Sequence, residues 1–120
     1  MFSKFIGNLI AVTLCAAPMM AQDLKSRSTY DDTPIVCAAY FRMLVRAYED
    51  DGDQLGAKQY MERFNRSYTQ GQANITSVGG TEEEAHKVTQ RFIDIISEMA
   101  EKRQEPALKS LVAMCNRQFP

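Results

Sequence analysis

Residues 33–50 read TPIVCAAYFRMLVRAYED, and both ends of the run mark a helix. Thr33 offers a hydroxyl to cap free amide groups. Pro34 supplies a helical φ in the first turn, where its missing N–H does no harm. Behind them Cys37, Tyr40, Phe41, Leu44 and Tyr48 recur at spacings of three and four, an apolar stripe with Arg42, Arg46 and Glu49 mainly outside it. The expectation is a helix from Pro34 to Asp50 with Cys37 facing inward near its start.

Downstream the same grammar repeats three times. Gly52, set among Asp50, Asp51 and Asp53, can take the left-handed conformation that ends one helix, and Asp53 can cap the next. A second helix is expected from Gln54 to Tyr68 or a little beyond, with Ala57, Met61, Phe64 and Tyr68 on its stripe. The Gly-, Thr-, Ser-, Gln- and Asn-rich stretch from Thr69 to Gly80 reads as a frayed helix end and the longest connection. Thr81 followed by Glu84 is a capping box, strengthened by the charges of Glu82 and Glu83 at the positive end of the helix dipole. The third helix carries Ala85, Val88, Phe92, Ile95, Ile96 and Met99, and ends on Lys102 and Arg103. Pro106 opens a fourth, whose stripe is Leu108, Leu111, Val112 and Cys115.

No segment alternates apolar and polar residues as a half-buried strand does, so the fold class is all-α: a small four-helix up-down bundle. In that order the start of the first helix and the end of the fourth share one end of the bundle. Cys37 and Cys115 occupy those places on inward stripes, which predicts a single disulfide between them. Closing so long a loop is worth about 4.5 kcal/mol on the chain-entropy model, comparable to the whole net stability of a small domain.

Upstream, residues 1–21 have the form of a cleaved N-terminal signal peptide. Lys4 stands near a short cationic start, an apolar core runs from Leu9 to Ala17, and Pro18 precedes a small residue, Ala21, after which cleavage is expected. Gly7, Asn8, Thr13 and Pro18 interrupt the run too often for a membrane anchor, so the membrane enters only transiently, through the signal. Leu14 precedes Cys15 where a lipoprotein peptidase needs a small residue, so Cys15 leaves with the signal. Residues 22–32 hold few large apolar side chains and read as a flexible lead; residues 33–120 form one helical domain. A pair of remaining cysteines in an exported chain agrees with the oxidising compartment, periplasmic or secreted.

The chain has 120 residues, 14 Lys plus Arg and 15 Asp plus Glu. That balance removes polyelectrolyte attraction as a driving force, and no nucleic-acid partner is expected. His86 is the only histidine, with Glu82 four residues earlier, too little for a catalytic or metal site. The acids at 50–53 fail a calcium-loop register, since Ala47 and Lys58 would fill its first and twelfth positions. The methionines of the domain, Met43, Met61, Met99 and Met114, sit on four different helices and read as core filler. No catalytic residue, metal or cofactor is assigned.

Tyr40, Tyr48, Tyr60 and Tyr68, all on the first two helices, are more phenols than a small core readily satisfies. They form the candidate protein-binding face. The functional expectation is an exported, non-enzymatic helical protein that binds a protein partner or forms a homo-oligomer through that face. An acid- or stress-responsive periplasmic chaperone is the first alternative, and a metal carrier or enzyme built on His86 the second. The layout is similar in outline to small periplasmic stress chaperones and inhibitor-like proteins, a likeness of architecture that no motif carries and that transfers no residue roles.

Overall fold

The computed structural model describes residues 29–120; the expected signal peptide and the expected lead up to residue 28 lie outside the described residues. Four helices follow one another: α1 (Thr33–Asp50), α2 (Gln54–Thr76), α3 (Glu82–Glu101) and α4 (Glu105–Gln118). There is no strand among the described residues. The fold is an all-α up-down bundle closed by a Cys37–Cys115 disulfide, with S–S 2.09 Å and Cα–Cα 5.3 Å across a sequence separation of 78.

Each of the three connections turns on one left-handed residue: Gly52 (φ 76°), Gly79 (φ 94°) and Arg103 (φ 55°). The first two are glycines, which reach that region without a Cβ penalty. After Gly52, Asp53 caps α2 by accepting from the Gly56 N–H at 2.9 Å. After Gly79, Thr81 and Glu84 form the reciprocal capping box, with bonds of 2.8 and 3.1 Å. The cap of α1 differs from the expectation. Its N-cap position belongs to Asp32, which makes no side-chain capping bond, while Asp31 accepts the Thr33 N–H at 3.0 Å. A carboxylate one residue farther back does the work assigned to the Thr33 hydroxyl.

α1 is the axis of the bundle and touches each of the other three helices. Ile35, Cys37, Ala38, Ala39, Phe41 and Val45 are all 0 % exposed. Successive helical residues point 100° apart, so this set covers more than half of the helix circumference, a face wider than one stripe, and Val36, Tyr40 and Met43 on the remaining side are half-buried. Three packed groups succeed one another along it. Ile35 meets Ile75, Ala85 and Val88, with Tyr30 packed against them. Ala39 meets Ile93 and Ile96 of α3. Cys37 and Phe41 meet Cys115 and the half-buried Leu111, Met114 and Phe119.

α2 runs through to Thr76, beyond the expected Tyr68, and the connection to α3 shrinks accordingly. The reason lies in α1. A Cβ on Gly71 would stand 2.9 Å from the Ile35 backbone nitrogen and side chain, so glycine lets the two helices close up. Ser67, fully buried, satisfies its hydroxyl on the Arg63 and Phe64 carbonyls at 2.8 and 3.1 Å, and Ile75 is sealed in the core beyond it. The burial that ties this polar stretch to α1 outweighs its weak helix propensity. Asn74 then donates to the Asp31 carbonyl at 3.0 Å, pinning the chain just before α1.

Among the described residues no helix is long and apolar enough to cross a membrane.

Candidate functional site

The tyrosines of the candidate face fall into two groups. Tyr48 and Tyr60 stack across the α1–α2 hairpin with centroids 5.3 Å apart and planes 15° from parallel. Gly56 makes the room: a Cβ there would sit 2.6 Å from the Tyr48 ring. Tyr60 continues to Phe41 at 6.2 Å, Phe41 is flanked by Tyr40 at 5.4 Å, and Phe119 meets Phe41 edge-on at 6.4 Å. The result is an aromatic ladder from the hairpin to the C-terminal tail. Arg63 lies over two of its rungs, 5.0 Å from the Tyr60 centroid and 6.0 Å from Phe41, and donates to the Asn116 side chain of α4 at 3.2 Å.

Tyr40, Tyr48 and Tyr60 are half-buried, and no hydrogen bond within the described chain holds their hydroxyls. Burial first, and Tyr60 second, hold the Tyr40 phenol above its ordinary pKa. All three are amphipathic groups, apolar at the ring and hydrogen-bonding at the tip.

Tyr68 stands apart from this ladder. It stacks on Phe64 at 5.4 Å and meets His86 at a tilt, with centroids 5.3 Å apart, and the Arg42 guanidinium lies 5.7 Å above the Phe64 ring. Its hydroxyl is buried and has no hydrogen-bond partner. Burial, then the charge of Glu82, raises its pKa. Eight residues separate Tyr60 from Tyr68, a displacement of about 12 Å along the helix, which is why one tyrosine of the four joins another neighbourhood.

Around that second group α1, α2 and α3 enclose a surface cavity of about 310 Å³, with Arg42, Arg46, Tyr68, His86 and Ile93 among its walls. His86 and Glu82, one turn apart, form no ion pair among the described residues; the imidazole lies against Tyr68 instead. Sequence reasoning placed Arg42 and Arg46 on the outside of the α1 stripe and assigned them no role. Their spacing of one helical turn was the available signal. A second groove, of about 460 Å³, lies at the hairpin tip, with Val45, Ala57 and Met61 flanked by Glu49, Lys58 and Glu62.

Among the described residues no cluster of three or more His, Cys, Asp or Glu side chains is placed to hold a metal ion. Cys37 and Cys115 are spent on each other. No protein-family model matches the chain, and no characterised protein or solved structure matches it.

Proposed function

We infer that this is an exported, non-enzymatic helical protein, periplasmic or secreted, that recognises a protein partner or a second copy of itself through the α1–α2 face. The observation that carries the reading is the stacked Tyr48–Tyr60 pair with Arg63 over it. Tyr and Arg dominate the energetics of protein recognition because each joins a broad, stiff contact surface to polar tips. Here the rings are already ordered by stacking, so little side-chain entropy remains to be lost on binding. Leu55, 68 % exposed on the first turn of α2, adds apolar area at the same end of the hairpin.

Export is supported by the signal-like pattern of residues 1–21 and by the buried disulfide, since such bonds persist in oxidising compartments. N-terminal sequencing of the protein isolated from its native compartment should start after Ala21.

The binding reading is tested by placing a photo-cross-linking residue at the exposed Gln59, next to Tyr60, in the native host. A discrete cross-linked species, lost in a Tyr48→Ala/Tyr60→Ala variant that keeps its helicity, is the expected result. Sedimentation of purified protein then shows whether the species contains a second copy. A protein that cross-links to nothing and sediments as a monomer at every concentration overturns the reading.

A further inference from the structure

We propose that the cavity between α1, α2 and α3 binds a small organic anion: a carboxylate or phosphate carried on a flat, apolar body.

The cationic side of the cavity comes from α1. Arg42 and Arg46 stand one turn apart and both line it, and neither forms an ion pair with a carboxylate among the described residues. A guanidinium presents a rigid fork of N–H donors that matches two oxygens of a carboxylate or phosphate, and an unpaired one keeps that capacity for a ligand. Arg42 is also held in place, because its guanidinium lies 5.7 Å over Phe64. It therefore has less freedom to lose on binding than a solvated arginine would.

The flat side comes from α2 and α3. Phe64 and Tyr68 stack at 5.4 Å and His86 packs tilted against Tyr68 at 5.3 Å, a row of ring faces and edges against which a planar body can lie. Ile93, nearly buried, adds an apolar surface to the same cavity. The Tyr68 hydroxyl is a buried donor without a partner, a state that costs free energy unless something accepts from it.

No Asp or Glu lines the cavity. Outside that lining, the charge of Glu82 acts on the Tyr68 phenol, Asp94 accepts from the Gln90 amide at 3.1 Å, and Glu49 and Asp50 follow Arg46 on the last turn of α1. In a chain of net charge −1, a pocket with two unpaired arginines and no acid is a local property, not a spill-over of overall charge. The groove at the hairpin tip shows the contrast: Glu49 and Glu62 outnumber Lys58 there, so that groove does not favour an anion. The residues involved are not those of the tyrosine ladder, so either site can fail without the other.

The same chemistry is presented by a free aromatic acid and by the C-terminal carboxylate of a polypeptide ending in an aromatic residue. The chain contains no Trp, so indole emission reports on ligand alone. The experiment titrates the full mature, oxidised protein into indole-3-acetate and into its neutral analogue indole-3-ethanol, following anisotropy. Phenyl phosphate is added as a competitor, and Gly-Gly-Trp is compared with its C-terminal amide. Indole-3-acetate should bind with a Kd on the order of 1 mM or tighter and be displaced by phenyl phosphate. Indole-3-ethanol should bind at least about tenfold more weakly, as should indole-3-acetate to an Arg42→Gln/Arg46→Gln variant. Arg46 is exposed and Arg42 half-buried, and circular dichroism confirms that the variant is folded.

Binding of Gly-Gly-Trp but not of its amide identifies a chain terminus as an accepted source of the anion. Binding of the free acids alone restricts the site to small molecules. Equal affinity for the neutral analogue, undiminished affinity in the double variant, or no binding by any member of the panel overturns the proposal.

Discussion

α1 and α4 share a design on paper. Each has Pro in its first turn, and each contributes one sulfur to the disulfide. They are nevertheless held by different forces. α1 is enclosed, with six apolar side chains from Ile35 to Val45 shut off from solvent. α4 buries only Cys115 completely; Leu108, Leu111 and Met114 remain half-exposed at the edge of the bundle. A central helix is fixed by packing, whereas an edge helix of modest apolar area relies on a covalent tether to the centre.

The sharpest way to break this contrast is to remove the tether. A Cys37→Ser/Cys115→Ser variant should lose about 4.5 kcal/mol of unfolding free energy, read from urea denaturation. Hydrogen exchange should show α4 amides losing protection at once, while those around Phe41 follow the global transition. Uniform loss across both helices would mean that α4 is held by packing after all.

Next comes the packing itself. Phe41→Ala should cost about 4 kcal/mol, since the ring is fully buried and supports Tyr60 and Phe119. Here the disulfide stays closed, so the damage falls on α1 and its partners.

A smaller effect tests how tightly α1 is gripped by α2. Alanine in place of glycine usually stabilises a helix interior by up to about 1 kcal/mol. At Gly71 the sign should reverse, with a loss of about 2 kcal/mol, because the new methyl meets the Ile35 backbone at 2.9 Å. A thermal melt that moves upward would show the α1–α2 contact to be looser than described. The smallest change, Thr81→Ala, removes a cap on α3, which belongs to neither of the compared helices. It should cost about 1 kcal/mol and leave the relative protection of α1 and α4 unaltered.

Two of the caps were legible in the sequence because they are local, whereas that of α1 fell to Asp31 rather than Thr33. Gly52 with Asp53, and Thr81 with Glu84, each need only their immediate neighbours, and the meeting of Cys37 with Cys115 followed from helix order alone. The end of α2 was not legible. Gly71 reads as a helix breaker until Ile35, far away in sequence, is seen packed against it. The core was only half legible for a related reason: a stripe presupposes a narrow buried face, and that of α1 covers more than half of its circumference, taking in Ile35, Ala38, Ala39 and Val45 as well. On α3, Ile93 is buried where Ile95 was expected, and Ile95 stands 41 % exposed.

The candidate face was visible as a set of phenols but not as a geometry. Tyr48 and Tyr60 are partners because a hairpin folds them together, and Tyr68 is displaced along α2 to join His86 instead. The arginine-lined cavity draws its walls from three helices, and no single window of sequence contains it.

The long reach of the disulfide has a practical corollary for anyone handling this protein. A protease that clips any one peptide bond between positions 37 and 115, the exposed Ser77–Gly79 bend for instance, leaves two pieces on a common sulfur hinge. Such nicked material migrates as one full-mass band on a gel until reductant is added, and only then separates into fragments.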